Sequence, residues 1–197
     1  MICLCANTAR SELCCDKRLL VIDGSPHADG ATARLTAVFL EALPPGIAVE
    51  RFSCFARRPL ACDDCRFCYR QDGCSKRDLD DFYRLLEAAD LLLFASPVYN
   101  RSFPAPMKAL LDRQQRYWAA RFVRGVRPPI PRPKRAVLLT VSGGPHPEGT
   151  HLEQQLRPAL TVLHATLEAS VHACGTDTDG LSEAAAAEAR AAAGLWK

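Results

Sequence analysis

A chain of 197 residues, 48% hydrophobic and 24% charged, has the length and apolar content for one α/β domain with a short extension. Its formal net charge of +3 is too small to point to nucleic acid by itself, and no apolar run approaches the roughly 20 residues that span a bilayer. The first residues lack the basic start and long apolar stretch of a secretory signal. The expectation is therefore a cytoplasmic protein with neither a membrane nor a nucleic-acid partner, in a compartment where disulfides are rare.

Residues 1–17 show no strand or helix period and read as a flexible N-terminal extension, leaving 18–197 for the domain. Arg18 to Asp23 is a short apolar run ending at Gly24, the pattern of a buried strand. After a turn-forming stretch from Ser25 to Gly30, Ala31, Leu35, Val38, Phe39 and Ala42 share one helical face, which Pro44, Pro45 and Gly46 terminate. Ile47 to Ser53 reads as a second strand. A cysteine-rich loop over 62–74 follows, and Leu79, Phe82, Leu86 and Ala89 mark a short helix. Leu91 to Ala95 is the most apolar run and predicts a central strand. One helix is expected over Pro104 to Arg116, then a Pro- and Arg-rich connection from Arg124 to Pro133. Ala136 to Val141 predicts a fourth strand, Leu152 to Leu163 a long amphipathic helix, Ala169 to Cys174 a fifth strand and Leu181 to Ala193 a last helix. Strands and helices that alternate in this way predict an α/β fold, a parallel sheet with helices on both faces. Ligands of such sheets bind at the carboxyl ends of the strands, here the loops that begin at Gly24, Ser96 and Ser142.

The first of these loops, Gly24 to Thr32, joins a strand to a helix start, where unpaired backbone N–H groups and the positive end of the helix dipole suit a phosphate. It is neither a Walker A loop nor a GxGxxG turn, and a plain strand–helix turn capped by Ser25 and Thr32 fits the spacing equally well. In the second loop Tyr99 offers a face for a planar ring, though a surface turn with an incidental tyrosine reads the same way. The stretches Leu19–Thr32, Ser96–Asn100, Pro106–Arg113 and Thr140–Gly144 resemble, in order and separation, the NAD(P)H-dependent FMN reductase group of the flavodoxin-like superfamily. The resemblance implies a three-layer fold with a five-stranded parallel sheet in the order 2-1-3-4-5. It also implies that Ser25, His27, Gly30, Ala31 and Thr32 hold the FMN phosphate, and that Pro97, Val98, Tyr99 and Asn100 flank the isoalloxazine with Ser142, Gly143 and Gly144. Ala31 stands where the family often has Asn, which removes one phosphate contact.

Ten cysteines are many for a cytosolic chain. Cys62, Cys65, Cys68 and Cys74 have a spacing close to the compact runs that hold [4Fe–4S] clusters. The spacing is similar to that of the iron–sulfur flavoprotein branch of the same family, in which the cluster exchanges electrons with the flavin. Four thiolates also suit tetrahedral zinc, and redox-active or incidental thiols are a third reading. Asp63 and Asp64 beside the thiolates are expected to disfavour added negative charge and so to lower a cluster's potential. Cys3, Cys5, Cys14 and Cys15 are read as part of the extension rather than as a metal site. The arginines from Arg113 to Arg132, interleaved with Tyr117, Trp118 and Phe122, read as a solvated lid or subunit contact rather than a nucleic-acid face.

The expected function is that of an FMN-dependent oxidoreductase. Electrons would pass from NAD(P)H through flavin to a small-molecule or protein acceptor: flavin, a quinone or a [4Fe–4S] cluster. No side chain is nominated as a catalytic acid or base, because the cofactor carries the chemistry. The alternatives are a non-enzymatic electron carrier, usually acidic where this chain is slightly basic, and a zinc-bearing interaction module. The resemblance implies a homodimer or homotetramer.

Overall fold

The computed structural model describes residues 17–197. Thirteen elements follow one another: β1 (Lys17–Asp23), α1 (Ala31–Glu41), β2 (Ile47–Ser53), α2 (Cys54–Arg57), α3 (Phe67–Arg70), α4 (Asp80–Ala88), β3 (Leu91–Pro97), α5 (Ala105–Asp112), α6 (Gln115–Phe122), β4 (Lys134–Val141), α7 (Gly149–Val162), β5 (Ala165–Ala173) and α8 (Glu183–Gly194). The five strands pair in parallel in the order β2-β1-β3-β4-β5, the flavodoxin-like order that the resemblance implies.

The inner strands are continuous apolar runs because helices cover both faces of the sheet. Successive side chains of a strand point to opposite faces, so each run is shared between two cores. Leu19, Val21, Leu91, Leu93, Val137 and Leu139 meet α1 and α8, while Leu20, Ile22, Leu92, Phe94 and Leu138 meet α4, α5 and α7. Trp196, just past α8, closes the first core edge-on against Phe39 at 5.1 Å. β2 lies at the edge, and its middle residues Val49, Glu50 and Arg51 are exposed. Charge on an edge strand discourages pairing with other chains.

Several boundaries differ from the sequence expectation; β3 runs on to Pro97 and β4 begins at Lys134. Lys17 belongs to β1, paired with Ile47, rather than to the extension. The rest of the expected extension, with Cys3, Cys5, Cys14 and Cys15, lies outside the described residues. β5 begins at Ala165 rather than Ala169. The register against β4 shifts between Ala136 and Val137, so that Leu167 faces Ala136 and Ala169 faces Val137, which leaves Glu168 as the extra residue of a bulge. Glu168 there accepts from Arg135 Nε (2.6 Å) and Trp196 Nε1 (3.0 Å). The single helix expected over 104–116 is two helices, α5 and α6, broken at Arg113 and Gln114, both of which are buried.

Candidate functional site

All strands run the same way, so the segments after β1, β2, β3 and β4 emerge on one edge of the sheet. The order reverses direction between β1 and β3, the place where ligands settle in doubly wound sheets.

After β1 the chain turns at Gly24, whose N–H donates to Ala95 O of β3 (2.8 Å). A Cβ at this position would meet Met107 Sδ of α5 and press on Ser96 Oγ, so glycine lets the loop pass this close without Met107 having to shift. Ser25 N–H donates to Asp23 Oδ1 (2.9 Å), and the Ser25 hydroxyl accepts from His27 N–H (3.2 Å). Burial raises the Asp23 carboxyl above its ordinary range, against the lowering pull of Ser25 N–H and the Arg51 charge. α1 then starts at Ala31 behind an N-cap, Gly30, that offers no side-chain cap, and its first turn holds no acidic residue. Eleven aligned peptide units therefore end in backbone donors that no side-chain cap covers. That is the donor set a phosphate needs, and it fits the phosphate of FMN.

After β3, Tyr99 and Ser102 exchange both backbone hydrogen bonds (3.0 and 2.9 Å) around Asn100 and Arg101, which have φ of 50° and 58°. Two left-handed central residues make the tight primed turn of a hairpin. The turn lifts Tyr99 outward, 44% exposed, as a free ring face. α7 clamps it from behind: Ser102 Oγ donates to Gln155 Oε1 (2.9 Å), Gln155 Nε2 donates to Arg101 O (3.0 Å), and Arg101 pairs with Glu148 (3.1 Å). Val98 N–H donates to Val141 O (2.8 Å), joining this loop to the next.

After β4, Ser142 O accepts from Thr176 Oγ1 (3.1 Å), and Gly144 O accepts from Gly175 N–H (2.7 Å). The Asp177 carboxylate lies where a Cβ on Gly143 would be. The twelve residues expected around the flavin therefore stand on three loops at adjacent strand ends of one edge. Sequence reasoning missed Asp23, Gln155 and Thr176, which hold these loops. Only Asp23, the last strand residue before the turning glycine, carried a local signal.

The cysteine loop comes after β2 and the short α2 and packs against α6: Cys68 Sγ donates to Gln115 O (3.9 Å), and Asp72 pairs with Arg116 and Arg124. Left-handed Asp64, Arg66 and Gly73 curl it back on itself. Cys62, Cys65, Cys68 and Cys74 line one cavity, together with Asp63, Asp64, Arg66, Lys76, Arg113 and Arg116. Among the described residues no three His, Cys, Asp or Glu side chains are drawn together as around a single ion; the four thiols share the wider cavity. Burial first, then the charges of Cys74, Cys62 and Cys65, push the Cys68 thiol up. Four soft sulfur donors around one space fit the donor chemistry of an iron–sulfur cluster. Two expectations change here. Asp63 is paired with Lys76 (3.2 Å) and Asp64 with Arg66 (3.3 Å), so neither is an uncompensated charge beside the thiols. The arginines after α5 are not all solvated. Arg113 is 2% exposed, and Arg116 packs over the rings of Tyr83 and Tyr117 (4.3 and 4.9 Å) while pairing with Asp72 (3.4 Å).

Comparison with known proteins follows the same lines. The family model described as NADPH-dependent FMN reductase matches residues 17–178. An iron–sulfur flavoprotein of Archaeoglobus fulgidus is 34% identical over 96 residues, a stretch that covers 48% of this chain and 44% of that relative, so the match spans less than half of its length. An FMN-dependent NADH:quinone oxidoreductase of Pseudomonas aeruginosa is 30% identical over 174 residues, covering 80% of this chain and 82% of that protein. Among solved structures, an NAD(P)H:quinone oxidoreductase from Methanothermobacter marburgensis superposes with a TM-score of 0.69 at 22% identity, over 90% of this chain and 95% of that one, a likeness of fold. With the model matched across nearly the whole described chain, on top of the sheet order and the three edge loops, the protein belongs to the NADPH-dependent FMN reductase family.

Proposed function

We propose that the chain binds FMN along the carboxyl edge of its sheet and acts as an oxidoreductase, with NAD(P)H as donor and a quinone, free flavin or a cluster on Cys62, Cys65, Cys68 and Cys74 as acceptor. One observation carries this reading: the uncapped start of α1, the Tyr99 hairpin and the Ser142–Gly144 loop stand side by side at the switch in strand order. FMN, when bound, supplies both the hydride chemistry of nicotinamide and the single-electron chemistry of a metal cluster.

The protein's own part is to bind and orient. Backbone N–H groups from Gly30 to Thr32, with Ser25 and His27, take the phosphate. Tyr99 presents a rigid aromatic face because its turn is closed by two hydrogen bonds and backed by Gln155. Pro97 to Asn100 and Ser142 to Gly144 present backbone groups to the polar edge of a planar ring. Expected assembly is a homodimer or homotetramer, and the exposed apolar side chains Trp118, Phe122, Val123 and Val126 give such an assembly something to cover.

Anaerobic purification followed by flavin, iron and sulfide analysis tests the reading. One FMN with about four irons and four sulfides per chain, and NAD(P)H oxidation that needs added quinone or flavin, is the expected result. FMN without iron removes the cluster and leaves the reductase. Failure to bind added FMN sinks the proposal.

A further inference from the structure

The segment from Leu60 to Asp78 contains no buried residue. A stretch of this length without a hydrophobic anchor needs polar contacts to hold one shape, since each ordered residue loses roughly 1–2 kcal/mol of backbone entropy. Those contacts converge on one side chain. Arg113, at the break between α5 and α6, donates from Nη1 to Leu60 O (3.0 Å) and Asp78 Oδ1 (3.0 Å), and from Nη2 to Lys76 O (2.8 Å). Leu60 stands two residues before the first thiol, and Lys76 two residues after the last. The two ends are also tied to each other: Leu60 N–H donates to Asp78 Oδ2 (2.9 Å) and Lys76 Nζ to Ala61 O (2.5 Å). A planar guanidinium can meet acceptors on two chain segments at once, whereas an ammonium is a point charge without that fork. Its guanidinium is also ion-paired with Asp78 (side chains 1% and 23% exposed).

We infer that Arg113 is the positioning residue of the four-cysteine site, a clamp that closes the mouth of the loop and so fixes the thiols around one cavity. The inference rests on the reading that the four cysteines hold a cluster together. Arg113 touches no thiol-bound group in this role; it acts through the loop ends. Its Nε is buried without a hydrogen-bond partner among the described residues, as is that of Arg116. Both residues line the cavity, so positive charge also faces the site.

The test compares anaerobically purified wild type, Arg113→Lys and Asp78→Asn. It reads the rate of iron release to a ferrous chelator, with the thermal midpoint and FMN content measured on the same samples. Arg113→Lys keeps the charge and loses the fork; Asp78→Asn weakens the clamp at a partly exposed partner and decides the matter if Arg113→Lys does not fold. Expected is iron release at least tenfold faster in each folded variant, with FMN content unchanged. Wild-type release rates in the folded variants would overturn the clamp. If wild type holds no iron or sulfide, the cluster reading falls, and the clamp is judged by alkylation of Cys68 and Cys74. Faster labelling in Asp78→Asn than in wild type supports it, and equal rates overturn it.

Discussion

In the proposed site, Ala31 bears on how firmly a phosphate would be held. It is the first residue of α1, where an Asn side chain would add one donor to the backbone N–H groups of the uncapped turn. Ala31→Asn should therefore tighten FMN binding by about tenfold or more, since one hydrogen bond to a charged group is worth roughly 1.5–3 kcal/mol. Fluorescence titration of the apoprotein checks it; unchanged or weaker affinity would place the phosphate elsewhere. Other residue-scale features were hidden in the sequence. Asp63 and Asp64 read there as bare negative charge, yet each has a cationic partner, Lys76 and Arg66. Pairing depends on where a loop folds back, and adjacent residues in the sequence do not reveal it.

At the scale of elements, the Tyr99 hairpin carries the sharpest prediction. Asn100 has φ of 50°, a region Asn tolerates and β-branched residues do not. Asn100→Val should lower stability by about 1–2 kcal/mol and weaken FMN binding, because Tyr99 would lose its orientation, while Asn100→Gly should leave stability nearly unchanged. Urea unfolding and flavin titration measure both. The Ser96–Asn100 stretch was legible as a loop after a central strand. Its turn type was not, since left-handed residues are set by the two hydrogen bonds that close the hairpin. The same holds for the two misread elements. The apolar period of 104–116 runs on past Arg113, but at Gln114 the backbone N–H turns to Leu111 O (3.0 Å) while the side-chain amide takes Leu110 O (2.7 Å). β5 starts four residues early because a bulge places Glu168 against Arg135 and Trp196, a contact between distant parts of the chain.

For the whole molecule, the two ends of the sheet do different work. The three candidate loops occupy the carboxyl edge. At the amino end of β4, Lys134 is buried, with Nζ donating to Ala89 O (2.5 Å). Burial, with the Arg132 charge behind it, lowers its pKa to about 8, against the opposing pull of Asp90 and Glu87. The unfolded chain, with an ordinary lysine near ~10.4, holds this proton between pH 8 and 10 when the folded protein has released it. Stability from this residue therefore rises with pH across that window. The thermal midpoint of wild type should rise relative to that of Lys134→Met between pH 8 and pH 10. Parallel profiles would mean that Lys134 keeps its proton in the fold. Because the residue lies at the opposite end of the sheet, FMN affinity should not follow this change.

The sequence by itself determined the alternation of strands and helices, and the inner strands as continuous apolar runs. It also marked the segments that carry chemistry: a glycine turn before a helix, a tyrosine after the most apolar strand, and four closely spaced cysteines. These are local patterns, imposed by helix and strand periods and by the needs of a core buried on two faces. Only the tertiary structure decided that the three loops share one edge, because that follows from strand order and parallel pairing. It alone decided that Arg113 binds Leu60, Lys76 and Asp78. Such contacts join residues 35 to 53 positions apart, and no period along the chain records a partner at that separation.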